Sequence, residues 1–455
     1  MLAGGVAVSA YPSRRVAWYS VIVLMLCYTL SYADRQILAF LIGPMRQDLH
    51  ISDTQVGLLQ GVAFALFYTI FGLPMGALAD RFNRRNLVAL GVVFWSLATA
   101  LCSVTRSFPA LALARMGVGV GEATLSPCAF SLITDSFPKE RLGTATSVYT
   151  MGIQLGSGLA LIIGGVIAQS VSHMAPITLP LAGSISAWRL TFLIVGAPGA
   201  LIALVVMTLR EPVRQALLMD TAGSAVRLGA SASLEQIRLR WRSTGGMAIV
   251  IACQATCNYA LLGWGPAFFE RLHHWPKDRT GLVLGLTTLG CGCLGLYTGG
   301  RLSDRWQRAG RLDAPLRVGV VTFLGLAATL IPAMLVPQAA WTVALLVPAV
   351  FCIGLPIGVG YAAIQQIFPN QVRGLASACV FLAVALIGLG FGNVLPGVLN
   401  DHLFHDDLKI GWSIALTVLL AVIAGLVALA LTARPFRADF QAARTLAQRE
   451  LPGPA

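Results

Sequence analysis

Four charged side chains stand where charge is costly. Asp34 and Arg35 lie in one long apolar run, Arg115 and Glu122 in another, and no other acid or base sits well inside such a run. A charged group in hydrocarbon costs about 2.5–3.5 kcal/mol on insertion scales, so each needs a partner, water or a function. A carboxylate short of water favours its protonated form, whereas a nearby guanidinium favours the ionised one. An acid and an arginine together therefore make a proton site whose occupancy depends on what the arginine is doing. The arginine can bind a phosphate or carboxylate through two parallel hydrogen bonds. An anion arriving there would withdraw it from Glu122 or Asp34 and leave that acid ready to take a proton. Arg115 and Glu122 are two helical turns apart and share one helix face, which makes Arg115 the expected partner of Glu122. The expected proton-coupling acids are thus Asp34 and Glu122. Glu122 is the deeper and the main one, with Asp34 its partner across a cavity. Arg35 and Arg115 are the expected cargo-binding cations. The competing reading is a salt-bridge cluster that only orients two helices.

Such residues need a frame that keeps them in a bilayer. The chain has 455 residues, 56% hydrophobic and only 11% charged, whereas soluble domains carry roughly 25% charged residues. Runs of about 20 apolar residues, enough to cross ~30 Å of hydrocarbon, fall near 17–42, 54–79, 86–104, 110–134, 142–168, 187–209, 246–269, 281–299, 316–337, 341–367, 373–399 and 411–433. The first follows Arg14-Arg15, as in a signal peptide. It runs too long, carries Asp34-Arg35 and lacks a small-residue cleavage site, so it reads as a retained helix. All nine cysteines sit inside apolar runs and none forms a Cys-x-x-Cys pair. They read as small hydrophobes, and neither a metal nor a cofactor is expected.

The net charge of +13 is explained by where the bases lie. Alternate loops counted from a cytoplasmic N-terminus collect 23 of the 32 lysines and arginines on the cytoplasmic side and seven outside; Arg35 and Arg115 make up the rest. That bias is the positive-inside rule. It removes the need for a nucleic-acid partner and places both termini in the cytoplasm. The expected setting is the cell membrane (the inner membrane in a bacterium), and the expected state is a multi-pass monomer. All six histidines fall in the external loops, so none is left for an intramembrane proton relay. His402-Leu-Phe-His405-Asp406-Asp407 reads as a solvated loop rather than a metal site.

Internal repeats divide the chain. Gly76-Ala-Leu-Ala-Asp80-Arg81 recurs as Gly300-Arg-Leu-Ser-Asp304-Arg305, and Phe137-Pro138 recurs as Phe368-Pro369. Each motif lands on the same side of the membrane in both halves, so the repeats are parallel, an architecture of secondary transporters. The expected fold is an all-α membrane protein of 12 transmembrane helices, in two six-helix bundles related by a pseudo-two-fold axis. Its parts are a tail 1–16, a bundle 17–210, a linker 211–245, a bundle 246–434 and a tail 435–455. The end of the linker, Glu235 to Arg242, mixes basic and apolar residues; it reads equally as a surface-lying helix or a solvated tether.

Gly76-x-x-x-Asp80-Arg81-x-x-Arg84-Arg85 resembles the signature loop of the major facilitator superfamily, departing from it at Asn83, where glycine is usual. Tyr32-x-Asp34-Arg35-Gln36, Ser52-Asp53-x-Gln55-x-Gly57, Phe64-Ala-Leu-Phe-Tyr68 and Arg115-x-Gly117-x-Gly119-x-Gly121-Glu122 resemble the Spinster branch of that superfamily. The resemblance implies a proton-linked carrier whose cavity is lined by the helices that bear the four charges. It also implies a lysolipid or sphingolipid-like cargo. Asp80, Arg81, Arg84 and Arg85 with Asp135, and the second-half twins Asp304 and Arg305, are the expected conformational gate. They would latch the halves when the cavity opens outward. Gly152-x-x-x-Gly156 resembles the superfamily's antiporter motif without its proline.

The second half carries only neutral polar residues in mid-span, among them Gln254, Asn258, Tyr259, Gln365, Gln366 and Asn393; Asn258 and Tyr259 are the expected cargo contacts. A cavity with one charged and one neutral wall suits an amphipathic or anionic organic solute. Uptake of small polar organic anions, such as sugar acids, by proton symport is the alternative. An intramembrane enzyme would need a nucleophile with a base, or His-Glu-x-x-His, within the spans; neither is present, so no enzyme is expected.

Overall fold

A computed structural model describes residues 11–172, 174, 177–179, 183–214, 230–368 and 370–449. Among the described residues, twelve helices are long and apolar enough to cross a membrane. Spans 1 to 6 are Arg14–Phe40, Asp53–Ala79, Arg84–Cys102, Phe108–Ser136, Arg141–Ser172 and Ala187–Met207. Spans 7 to 12 are Trp241–His273, Lys277–Arg308, Ala314–Leu335, Ala339–Ile367, Leu375–Phe404 and Asp407–Ala443. The fold is the expected pair of six-helix bundles. Between them lies a short helix, Ala230–Leu239. Span 7 starts at Trp241, ahead of the expected 246, so the Glu235-to-Arg242 segment divides between two helices. The last helix continues as far as Arg449. A two-stranded antiparallel hairpin, Ile177–Leu179 with Gly183–Ile185, was not foreseen; it joins spans 5 and 6.

Several spans lose regular helical geometry along their length. Span 1 is α-helical to Gln36 and then tightens into a 3-10 turn, Ile37–Phe40. Span 2 breaks at Gly61, between Asp53–Gln60 and Val62–Arg81. Span 4 breaks after Glu122 and resumes at Leu125. Span 11 carries a π segment, Val384–Leu389. Breaks of this kind free backbone groups and, within membranes, are tolerated where they line a cavity. The glycine run at 117, 119 and 121 acts in packing: a Cβ at Gly121 would lie 2.7 Å from the Trp95 backbone nitrogen, so spans 3 and 4 touch through their backbones.

One face of the bundle carries Arg14, Arg81, Arg84, Arg301 and Arg305 and is called the basic face; the halves are tied together at the opposite face. There Asp53, at the start of span 2 and fully buried, accepts 2.7 and 2.8 Å hydrogen bonds from both terminal nitrogens of Arg271 in span 7. Asn400 of span 11 donates to the same carboxylate at 2.9 Å. Asp401, also of the second half, accepts from the Asp53 and Thr54 backbone N–H groups at 3.3 and 2.6 Å, capping a first-half helix from across the interface. Arg46 pairs with Asp407 at 2.8 Å. Spans 2 and 11 run together from this clasp to mid-length, where a Cβ at Gly61 would lie 2.9 Å from the Leu389 carbonyl oxygen. Toward the basic face a Cβ at Gly72, Gly76 or Gly143 would meet nothing within 4 Å among the described residues.

Candidate functional site

The breaks of spans 1, 2 and 11 converge on a small cavity between the halves. It is lined by Tyr32, Arg35, Gln36 and Gln60 from the first half and by Tyr259, Gly263, Leu389 and Asn393 from the second. Its volume is about 20 Å³, room for roughly one water molecule. The second-half wall carries no charge, as its sequence implied.

Arg35 is the charged group that reaches this cavity, and its side chain is 13% exposed. It sits in the last turn before span 1 tightens, which turns it toward span 4. Its Nε and Nη2 donate to one oxygen of Glu122 at 2.7 and 2.5 Å. Ser31, one turn earlier on span 1, donates to that same oxygen at 2.5 Å. The guanidinium also lies over the rings of Phe64, Tyr32 and Tyr68, 4.5, 4.9 and 5.2 Å from their centroids. These contacts satisfy a cation on one side with a carboxylate and on the other with ring faces. The other Glu122 oxygen is buried without a hydrogen-bond partner among the described residues. Glu122 is thus held by one arginine through one oxygen, and removal of that arginine would leave an uncompensated buried charge.

Arg115 does not pair with Glu122. Two helical turns span about 10.8 Å, more than the two side chains bridge along one face, and span 1 supplies a nearer cation. Arg115 is 1% exposed and donates to the Asp34 backbone carbonyl at 3.4 Å. It does not line the cavity, so its expected contact with cargo is not built. Asp34 likewise does not face Glu122 across a cavity. It is sealed inside the first half, and neither of its carboxylate oxygens has a hydrogen-bond partner. Of the two expected second-half contacts, Tyr259 lines the cavity, whereas half-buried Asn258 is not among its lining residues.

The expected gate at the basic face is partly assembled, within the first half only. Arg84 is buried and bridges Asp135 and Glu211, the latter at 2.6 Å, and donates to Ser131 and to the Pro212 carbonyl. Glu211 also receives the Arg85 backbone N–H at 3.1 Å, and the Arg85 side chain reaches the Leu209 carbonyl. Arg81 is exposed, and the side chain of Asp80 lies outside the described residues. In the second half Asp304 and Arg305 are exposed. The corresponding staple there is Asp313, bonded to Arg317 at 3.0 Å and to Arg437. Burial acts to raise the Asp313 carboxyl, but these two arginines prevail and hold it below the ordinary range. Sequence reasoning missed Glu211, Asp313, Asp53, Arg271 and Gln60. The first four sit in segments that read as loops, and Gln60 sits at a helix break that no local signal marks.

Two bundles tied together at one face, with a cavity between them and a buried ion pair beside it, define a multi-pass membrane transporter of a small molecule. The chain belongs to the Major Facilitator Superfamily, whose family model matches residues 24–386. It is 30% identical over 440 residues to an MFS-type efflux pump of Mycolicibacterium smegmatis, covering 93% of this chain and 94% of that protein. It is 27% identical over 352 residues to a probable L-galactonate transporter of Escherichia coli, covering 75% and 74% respectively. Among solved structures, it matches a bacterial homologue of the human lysosomal transporter Spinster in an inward-facing, unoccupied conformation. The TM-score is 0.74 with 25% identity, covering 97% of this chain and all of that one. Within the superfamily the chain is Spinster-like.

Proposed function

We propose that this protein is a proton-coupled secondary active transporter that works by alternating access on an amphipathic or anionic organic solute, such as a lysolipid. The basic face is read as cytoplasmic, with both termini there and the cell membrane as the setting. The cavity of this conformation then opens inward. The reading rests chiefly on the Arg35–Glu122 pair, where a proton acceptor and an anion receptor share one bond. Anionic cargo arriving from the open side takes the Arg35 guanidinium in bidentate fashion. Glu122, losing its only cation in a buried setting, then takes a proton. The aromatic rings around Arg35 accommodate an apolar portion of the cargo. Departure of cargo returns Arg35 to Glu122 and expels the proton. Cargo and proton therefore occupy the site together, as in symport.

Asp34 and Arg115 act in this reading as a sealed pair that fixes span 1 against span 4. Asp80, Arg81, Arg84, Arg85 and Asp135, with Asp304 and Arg305, are read as the latch of the alternate conformation, when the basic face closes. A second reading is proton symport of sugar acids, favoured by the likeness to the probable L-galactonate transporter. Proteoliposomes given only a pH difference test both. The expected result is accumulation of radiolabelled lysophosphatidate, lost in Glu122→Gln while exchange between equal pools persists. Accumulation of galactonate and not lysophosphatidate would select the second reading. A Glu122→Gln protein that still concentrates cargo would end both.

A further inference from the structure

Gln60 is a buried amide with nothing to bond. It is 8% exposed, lines the cavity beside Arg35, and neither its oxygen nor its nitrogen has a hydrogen-bond partner among the described residues. Buried side-chain amides are almost always bonded, so an exception of this kind indicates a missing partner. Across the halves stands Asn393, 3% exposed, whose amide nitrogen is committed to the Leu389 carbonyl at 3.0 Å. Its side-chain oxygen is therefore presented as an acceptor. Both oxygens converge on the bare Cα of Gly263: a Cβ there would lie 2.7 Å from Gln60 Oε1 and closer still to Asn393 Oδ1. The two side-chain amides thus meet over the bare Cα of Gly263, and Gln60 has no hydrogen-bond partner there among the described residues. The cavity at that point holds about 20 Å³, enough for one water or one hydroxyl.

We propose that Gln60, with Asn393 opposite and Gly263 leaving the room, forms a subsite that reads a hydroxyl group on the cargo next to the anionic group held by Arg35. A hydroxyl fits this subsite better than other groups. Its O–H donates to one of the facing amide oxygens, and a lone pair accepts from Gln60 Nε2. An ammonium supplies donors only and would sit beside the Arg35 cation. An ether or methylene would leave the amide unsatisfied. A site built to bond a hydroxyl rejects the analogue that lacks it, because the site's own polar groups are then stranded. The subsite bridges the two halves at the end of the tied seam, so a bound hydroxyl also tells both halves that cargo is seated. The specific cargo class is an organic anion bearing a hydroxyl a few ångströms from its phosphate or carboxylate.

This inference rests on the cavity being the cargo site, so its test has one arm that needs no cargo. In that arm the melting temperature of cargo-free Gln60→Leu is compared with the parent in detergent. Replacing an unpaired buried amide with an apolar side chain of similar shape is neutral or stabilising; a fall of several degrees would show that Gln60 already has structural partners and overturn the proposal. In the second arm two probe pairs distinguish lipid from soluble cargo: oleoyl lysophosphatidate against its 2-deoxy analogue, and galactonate against 2-deoxygalactonate. The parent is expected to bind the hydroxylated member of one pair at least about tenfold more tightly. Gln60→Leu is expected to bring that ratio to one by weakening the hydroxylated probe alone. Gly263→Ala is expected to lose the hydroxylated probe. Equal weakening of both members by Gln60→Leu, or no preference in the parent, would overturn the subsite. Binding of neither pair by the parent, with the thermal arm as expected, would instead overturn the anionic-cargo reading.

Discussion

Two arginine–carboxylate pairs use the same chemistry for opposite ends. Arg35 and Glu122 belong to one half and meet beside the break of span 4, and Arg35 reaches the cavity. Arg271 and Asp53 belong to different halves, meet at the sealed face, and enclose a carboxylate with no exposed surface. The first pair is bonded through one carboxylate oxygen, with Ser31 on that same oxygen and the other left bare. The second is a two-pronged fork with Asn400 added, so every carboxylate oxygen is engaged. An under-bonded pair is easily displaced by an incoming anion, whereas a saturated one parts only when the halves separate. The geometry of an ion pair, more than its presence, tells a switch from a clasp.

The largest effect should come from cutting the clasp. Removing one member of a buried pair typically costs about 3–5 kcal/mol, and here Arg46, 3.3 Å from Asp53, offsets part of the charge that Arg271 leaves behind. Arg271→Gln should therefore populate the form opened at the sealed face. Spin labels at residues 47 and 408, on opposite sides of the clasp, should move apart. An unchanged distance distribution would mean that the backbone seam of spans 2 and 11 holds this face without the clasp.

Next comes the switch. Hydrogen bonds to charged groups are worth about 1.5–3 kcal/mol, so Arg35→Gln should weaken anionic cargo by roughly tenfold to a hundredfold in isothermal titration. Arg115→Gln should leave that affinity unchanged and lower the melting temperature instead, since Arg115 is sealed against span 1. A matching loss of affinity in both variants would dissolve the distinction between a cavity arginine and a structural one.

The smallest effect belongs to Asp313 at the basic face. Its partners Arg317 and Arg437 are 41% and 49% exposed, and pairs so open to solvent contribute less than about 1 kcal/mol. The folded-state acid is held below its ordinary range. Its contribution is therefore present above the unfolded value and lost as pH falls through the folded one. Asp313→Asn should lower the melting temperature slightly at pH 7, and the gap to the parent should close on acidification. A gap that widened in acid would reverse the sign of this argument.

Much of this was legible before any coordinates. Twelve apolar runs and repeated motifs define the two bundles, because a bilayer makes hydropathy nearly decisive. The cost of charge in hydrocarbon singled out Asp34, Arg35, Arg115 and Glu122. Their pairing was not legible. Helical spacing put Arg115 beside Glu122, but span 4 ends its first helical segment at Glu122 and span 1 delivers Arg35 there instead. Asp53 and Arg271 were read as ordinary loop-end charges, since 218 residues separate them and only tertiary packing unites them. Gln60 was invisible because a neutral amide at a glycine break carries no compositional signal.

The central claim is that cargo and carboxylate compete for one guanidinium. It is tested most directly by counting protons when cargo binds to purified protein in weakly buffered detergent, with a pH indicator present. Addition of a hydroxylated anionic cargo at neutral pH should draw about one proton from solution per cargo bound, as a deprived buried carboxylate must neutralise itself. The Glu122→Gln protein should bind cargo and draw none. Binding by the parent without proton uptake, or the same uptake by Glu122→Gln, would contradict the account.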